Sequence, residues 1–183
     1  MKRSTWIVLV IFLALVGLLF YLNQRESPAE GAEVTPTETV EYLFSETAGL
    51  PTSIDIEAKS GERVAIERNE AGEWVLKQPI ETEANQGSAE AAASQLSALR
   101  VLSRPEVAPD DAGLGEPSYV MTVKLTGGTE EVVRIGDLTP TSSGFYTNIN
   151  GSEEVLIVDK TSLDSLLTLV TSPPYAETPT PTP

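Results

Sequence analysis

The residues of this chain that could carry chemistry are almost all carboxylates. The sequence holds 27 aspartates and glutamates against 12 lysines and arginines, and it contains neither histidine nor cysteine. Ser-His-Asp and Cys-His catalysis are therefore excluded, and so are zinc sites built on histidine or cysteine. Two kinds of carboxylate chemistry remain open: oxygen ligation of a hard cation, and paired acids in glycoside hydrolysis.

The densest acidic segment is Asp110-Asp111, which lies in a loop between Glu106 and Glu116. Calcium takes oxygen ligands from such loops, but the spacing does not match the D-x-[DN]-x-[DN]-G pattern. We therefore prefer the interpretation of a solvated acidic loop. Glycoside cleavage needs two acids about 5–9 Å apart across a cleft, and the sequence singles out no such pair. We expect no metal site, no cofactor and no enzymatic activity.

Two other features have a structural and a functional interpretation. Asn150-Gly151-Ser152 matches the N-glycosylation pattern, but Asn-Gly is also the favoured hairpin turn, which explains it fully. Trp74 could be an exposed platform for a ligand, whereas a core aromatic is the more common outcome. The same two interpretations apply to Tyr119 and to Phe145-Tyr146.

The N-terminal part contains a long apolar run. Residues 6–22 (WIVLVIFLALVGLLFYL) carry no charge and no proline, and these 17 residues span roughly 26 Å as a helix, close to the apolar thickness of a bilayer. Lys2 and Arg3 precede the run, so the positive-inside rule predicts a cytoplasmic N terminus and an extracytoplasmic remainder. A signal peptide cleaved near Ser27-Pro28-Ala29 is the alternative, although its apolar run is usually shorter. No cysteine follows the run, which excludes a lipoprotein anchor.

Composition then divides the chain into four parts. We expect a transmembrane anchor (1–22), a disordered acidic tether (23–38), an extracytoplasmic domain (39–171) and a disordered Pro/Thr-rich tail (172–183). The tail is interpreted as a frayed terminus or as an O-glycosylated stalk. Beyond residue 22 there are 10 basic and 27 acidic residues, a net charge of −17, so nucleic-acid binding is not expected.

Hydrophobic periodicity predicts the elements of the domain. Alternation of apolar and polar residues indicates strands at 54–58 and 63–68. Turn signals such as Gly127-Gly128 and Asn150-Gly151 divide the rest, and we expect further strands at 40–44, 74–76, 119–125, 131–135, 144–149 and 155–158. A helix is expected from an N-cap at Asn85 to about Leu102, and a second one from a cap at Thr161 or Ser162. The order of strands followed by a helix occurs twice. We therefore predict an α+β fold of two antiparallel β-meanders, each closed by one amphipathic helix, as a degenerate internal repeat.

Several short motifs follow one another in the predicted domain. They are Trp74-x-Leu76-x-x-Pro79, Gly113-Leu114-Gly115-Glu116-Pro117, Ile135-Gly136 and a strand tyrosine at Tyr146. In this order, and behind an N-terminal anchor, they resemble a bacterial family, domain of unknown function 4340, over about residues 40–170. The resemblance implies a membrane-anchored protein that works beside ABC transporter components of the type linked to gliding motility and extracellular-matrix export. It implies no catalytic residues.

Three functional hypotheses follow. The first is a non-enzymatic envelope protein that contacts membrane transporter subunits, with Trp74, Gly113, Leu114 and Pro117 as expected contact residues. The second is an anchored ligand- or polysaccharide-binding module, which would require an apolar pocket with converging polar groups. The third is a carboxylate-dependent hydrolase, which would require two acids with perturbed pKa values in one cleft.

Overall fold

The computed structural model describes residues 40–176. The predicted anchor and tether, and residues 177–183 of the predicted tail, lie outside the described residues. Across 40–176 no helix has the length and apolar character that crossing a membrane requires. The described chain is an α+β domain with one ten-stranded antiparallel sheet and two helices, so the predicted fold class is confirmed.

Residues 40–176 start with a strand and a short 3₁₀ turn and then alternate hairpins with helices. The strands are β1 (Glu41–Tyr42), β2 (Pro51–Ala58), β3 (Arg63–Arg68), β4 (Trp74–Gln78), β5 (Thr82–Glu83), β6 (Arg100–Ser103), β7 (Tyr119–Leu125), β8 (Glu130–Leu138), β9 (Gly144–Ile149) and β10 (Leu156–Asp159). The helices are α1 (Gln86–Ser97) and α2 (Lys160–Thr171).

The strand order in the sheet is β1-β6-β10-β9-β8-β7-β2-β3-β4-β5. The meander β2–β5 and the meander β7–β10 meet where β2 pairs with β7, and Asp55 lies opposite Thr122 in that pairing. On each side of this pair the sheet contains one four-strand meander. In both cases the chain continues from the last strand of the meander into one helix. The strand order of the two halves therefore matches.

The two halves also exchange the segments that follow their helices. β6 follows α1 but pairs with β10 of the second meander. Tyr175 follows α2 and forms a bridge with Ala84, next to the last strand of the first meander. The amide of Asn85 also donates to the carbonyl of Pro174 at 2.8 Å. Residues 172–176 therefore lie against the first meander, and the disordered tail predicted from residue 172 is corrected for this segment.

Both helices cover the same face of the sheet. Alternate residues of the central strands point to that face and are buried, among them Ile54 and Ile56 on β2 and Met121 on β7. They pack with Leu96 of α1 and Leu163 of α2 in one hydrophobic core. Each such side chain contributes about 1.5–3 kcal/mol relative to an exposed position, so the core holds the two halves together.

Three strands have the predicted bounds, and two helix predictions need correction. β3, β7 and β9 begin and end at the predicted residues. α1 ends at Ser97 rather than near Leu102, because Val101 pairs with Val158 of β10 instead of continuing the helix. The cap of α2 is Asp159, whose carboxylate accepts from the amide of Ser162 at 2.9 Å; neither Thr161 nor Ser162 is the cap.

The turn at Asn150-Gly151 has the predicted hairpin conformation. Asn150 has a φ of 52° and Gly151 a φ of 68°, the positive values that a type I′ turn requires. The Asn150 side chain accepts from the amide of Val132 at 2.9 Å and donates to Glu131 at 2.6 Å. The asparagine side chain therefore has a structural role, because it connects the turn between β9 and β10 to the neighbouring strand β8.

Candidate functional site

The first arrangement of interest surrounds Trp74. Its side chain is buried at 1% exposure, and its indole Nε1 donates to Glu90 Oε2 on α1 at 2.8 Å. Arg68 lies over the indole ring with its guanidinium carbon 4.4 Å from the ring centroid, and it also binds Glu90 at 2.6 Å. The Gln86 amide accepts from the backbone N–H of Trp74 and donates to its carbonyl, each at 2.8 Å. Trp74 therefore fixes the start of α1 on the first meander.

These contacts also determine the charge state of Glu90. The hydrogen bond from Trp74 lowers the pKa of Glu90 below its usual value of 4.5, and Arg68 acts in the same direction. The carboxylate is thus held ionised beside an aromatic ring and a guanidinium. This environment is the opposite of the one that a general acid requires, because a general acid needs a raised pKa.

The second arrangement is the loop between β6 and β7, which packs on the sheet face opposite the helices. Ala112 and Leu114 are buried there with Val155, and Tyr146 of β9 packs against them. The amide of Asp137 donates to the carbonyl of Ala112 at 3.0 Å. A Cβ at Gly136 would overlap that carbonyl, so the glycine allows the loop to approach β8 closely. The loop motif, the Ile135-Gly136 pair and Tyr146 therefore meet in one contact.

The four predicted contact residues do not form one surface. Gly113, Leu114 and Pro117 share the loop on the outer face, whereas Trp74 lies on the helix side of the first meander. Leu114 and Trp74 are each 1% exposed, so the core interpretation of Trp74 describes its position, and neither side chain is accessible. Gly113 and Pro117 are half-buried and remain predicted contact positions.

The acidic residues of the same loop face solvent. Glu106, Asp110 and Asp111 are exposed, and Glu116 forms an ion pair with Lys59 at 2.8 Å. This pairing lowers the pKa of Glu116 through the hydrogen bond and the charge of Lys59. Across residues 40–176, no group of three or more acidic side chains is placed to hold a metal ion.

A cleft of about 450 Å³ opens beside α2, between that helix and the strands β7, β8 and β9. We call it the α2 cleft and define it by six of its lining residues: Tyr119, Asp137, Leu138, Phe145, Asp164 and Leu167. Its walls are aromatic and aliphatic, and its polar groups include the carboxylate of Asp164. Tyr119 and Phe145 are half-buried, as expected for aromatic residues that pack on a core and also border an opening.

Sequence reasoning did not identify the α2 cleft. Phe145 was one of several aromatic residues in strands, and Asp137 and Asp164 were two among 27 acids. The available signal was the position of each residue within its element, since Asp164 is the fifth residue of a helix that closes a meander. That signal becomes useful only when the strand pairing is known.

A smaller pocket of about 270 Å³ lies where the leading segment reaches β2. Phe44, Leu50, Leu96 and Leu125 are among its lining residues. Leu50 is 68% exposed at this position, which is unusual for a large aliphatic side chain.

Comparison with known proteins identifies the family. The family model described as Domain of unknown function (DUF4340) matches residues 74–172, from the start of β4 to the residue after α2. No curated protein and no solved structure matches the chain. The match includes Trp74, the loop motif, Ile135-Gly136 and Tyr146, and it covers more than half of the 183 residues. The chain therefore belongs to the DUF4340 family of domains of unknown function.

Proposed function

We propose that this protein is a non-enzymatic, single-pass envelope protein that acts by protein–protein contact outside the membrane. In this proposal the apolar segment 6–22 anchors the chain, and residues 40–176 form the contact domain. The partner is a membrane transporter subunit, and the protein is an auxiliary component of an ABC-type export system. The transporter context comes from the family resemblance described above.

The observation that carries the proposal is an exposed apolar patch at one edge of the sheet. Val40 and Tyr42 are each 40% exposed and Leu102 is 43% exposed. β1 pairs with β6 so that Tyr42 lies opposite Arg100, which places Tyr42 and Leu102 on the same face of the sheet. We call Val40, Tyr42 and Leu102 the edge patch. Exposed apolar groups with an aromatic centre are typical of protein contact surfaces.

The position of the edge patch supports a partner at the membrane. The patch includes Val40, the first described residue, which lies two residues after the end of the predicted tether (23–38). In the proposal, the anchor and the tether are thus followed in sequence by the contact surface. Arg104 pairs with Glu41 and Glu154 at the same edge, and the hydrogen bond from Arg104 lowers the pKa of Glu41. The patch therefore has the charged rim that contact surfaces commonly show.

The ionisation of the carboxylates supports a non-enzymatic role. The pKa values of Glu41, Glu81, Glu90 and Glu116 are all lowered, in each case by hydrogen bonds to a neighbouring side chain and by the charge of a nearby cation. Such pairing stabilises the ionised form. A glycosidase acid needs the reverse, because it must hold its proton at neutral pH.

The proposal also includes the internal repeat. It is supported by the matching strand order of the two halves and by the helix that closes each meander. It is supported as well by the reciprocal exchange in which each half pairs with the segment that follows the helix of the other.

Crosslinking tests the edge patch directly. A photoreactive phenylalanine derivative would be placed at Tyr42 or Leu102 in the full chain in its native cells, with Glu70 in the β3–β4 turn as the control position. We expect an adduct with a transporter subunit from positions 42 and 102 and none from position 70. Recovery of the protein without any transporter subunit would count against the proposal.

A second candidate function is a ligand- or polysaccharide-binding module, and the α2 cleft favours it. The cleft combines aromatic walls with the carboxylate of Asp164, and apolar walls with a few polar groups are a common feature of small-ligand sites. Titration of the full chain with neutral oligosaccharides distinguishes this candidate from the first, since only a saccharide site would respond at Tyr119 and Phe145.

A further inference from the structure

The first half of the domain contains an intramolecular arginine site built on three positions. Arg68 is the last residue of β3, Trp74 is the first residue of β4 and lies opposite it, and Glu90 is the fifth residue of α1. The guanidinium lies 4.4 Å from the indole centroid and 2.6 Å from the Glu90 carboxylate. It is thus held by an aromatic face and a helical carboxylate together.

The second half has related side chains at three corresponding positions, defined by the cross-strand pair and by the fifth residue of the helix. Leu138 is the last residue of β8, Phe145 lies opposite it on β9, and Asp164 is the fifth residue of α2. The aromatic ring and the helical carboxylate are present, but leucine replaces the arginine. All three residues line the α2 cleft. The space that a guanidinium fills in the first half is therefore open in the second half.

The charges of the cleft favour a cation. The carboxylate of Asp164 lines it, whereas the carboxylate of Asp137 lies against Gly113 of the outer-face loop. Asp164 pairs with Lys160 one turn earlier on α2, and exposed pairs of this kind contribute little stability. Residues 40–176 contain 9 basic and 22 acidic residues, a net charge of −13, which attracts a basic partner over a longer range.

We propose that the α2 cleft binds an arginine side chain of the partner protein, with its guanidinium on Phe145 and paired with Asp164. This inference rests on the proposed contact function. Arginine fits better than lysine, because a planar guanidinium stacks on an aromatic ring and can bind a carboxylate through two parallel hydrogen bonds. Arg68 shows the same combination in this chain.

A peptide titration tests the chemistry of the cleft. The full chain in detergent micelles is titrated with acetyl-Gly-Arg-Gly-amide and followed by NMR, with the citrulline peptide as an uncharged control of the same shape. We expect saturable shifts at Leu138, Phe145 and Thr168 with a Kd on the order of 1 mM, and binding of the citrulline peptide at least about 10-fold weaker. Equal shifts with both peptides, or shifts spread over the whole acidic surface, would overturn the proposal.

Two sets of variants define the site. Asp164→Asn should abolish the shifts, whereas Asp110→Asn makes the same change in charge in an exposed loop and should leave them. Leu138→Arg should supply the missing guanidinium from within the chain and block the peptide. If the peptide still binds Leu138→Arg, or if Asp164→Asn and Asp110→Asn weaken its binding equally, the site is not as proposed.

Two further outcomes have distinct meanings. If Arg25→Gln changes the cleft signals of the free chain and strengthens peptide binding, the occupant is the chain's own tether, and the partner assignment is wrong. If crosslinking at Tyr42 still captures the transporter subunit in the Asp164→Asn variant with unchanged yield, the arginine site fails while the contact function stands. Loss of the adduct in the unmodified chain would instead remove the proposed function.

Discussion

Glu90 accepts a hydrogen bond from the indole N–H of Trp74 at 2.8 Å, although the Glu90 side chain is 56% exposed on the surface of α1. The carboxylate therefore reaches from solvent to a buried ring and joins the helix to β4. Without it, the indole N–H would be buried with no acceptor, because the ring itself is 1% exposed.

We expect Glu90→Ala to lower the free energy of unfolding by about 1–2 kcal/mol, because it leaves the buried indole donor unsatisfied and removes a partner of Arg68. Glu90→Gln keeps an acceptor and should cost about half as much. Urea unfolding followed by tryptophan fluorescence measures both. Glu70→Ala, in the exposed β3–β4 turn, is the control, and an equal loss in this variant would show that the contact is unimportant.

The contribution of Glu90 should depend on pH. Its pKa is lowered in the folded protein, first by the Trp74 hydrogen bond and then by Arg68, so its stabilisation is present above the ordinary value of 4.5. It is lost as the pH falls through the lower folded value. The difference in unfolding free energy between the unmodified chain and Glu90→Gln should therefore be constant from pH 7 to about 5 and shrink toward pH 3. A difference that does not change with pH would contradict this assignment.

Gly136→Ala should weaken the packing of the outer-face loop against β8. The added methyl group would overlap the Ala112 carbonyl, and overpacking of this kind typically costs about 1–3 kcal/mol. Hydrogen exchange should increase at the amide of Asp137, which donates to that carbonyl. Gly87→Ala on α1 is the control, since its Cβ would meet only an ordinary contact; it should be neutral or slightly stabilising.

Leu114→Ala should destabilise the domain although Leu114 lies in a loop. The side chain is 1% exposed and packs in the small cluster with Ala112 and Val155, so its truncation leaves a cavity that costs about 2–3 kcal/mol. Ile80→Ala removes a similar aliphatic side chain that is 65% exposed, and we expect almost no change in thermal midpoint. Equal midpoints for the two variants would mean that the loop packs loosely.

The sequence by itself determined the local structure. Alternation of apolar and polar residues predicted β3 with its observed bounds, because a half-buried strand must present one face to the core. Turn signals predicted β7 and β9 with their observed bounds, because a tight turn must join two strands of a hairpin. Asn150-Gly151 predicted its turn for a similarly local reason, the positive φ that both positions need. The motifs that resembled the DUF4340 family were also recognisable in sequence, although they did not show what the motifs contact.

Only the tertiary structure decided which distant segments meet. The helix predicted to about Leu102 included most of the residues that form β6 (100–103). Pairing with β10 outweighs the weak local preference of these residues. The pairing of β2 with β7 and the bridge of Tyr175 to Ala84 join segments far apart in the chain. The α2 cleft depends on those pairings, because Leu138, Phe145 and Asp164 come together only through strand register and helix packing. Local composition does not determine which distant strands form backbone hydrogen bonds with each other, and this is why the site could not be predicted from the sequence.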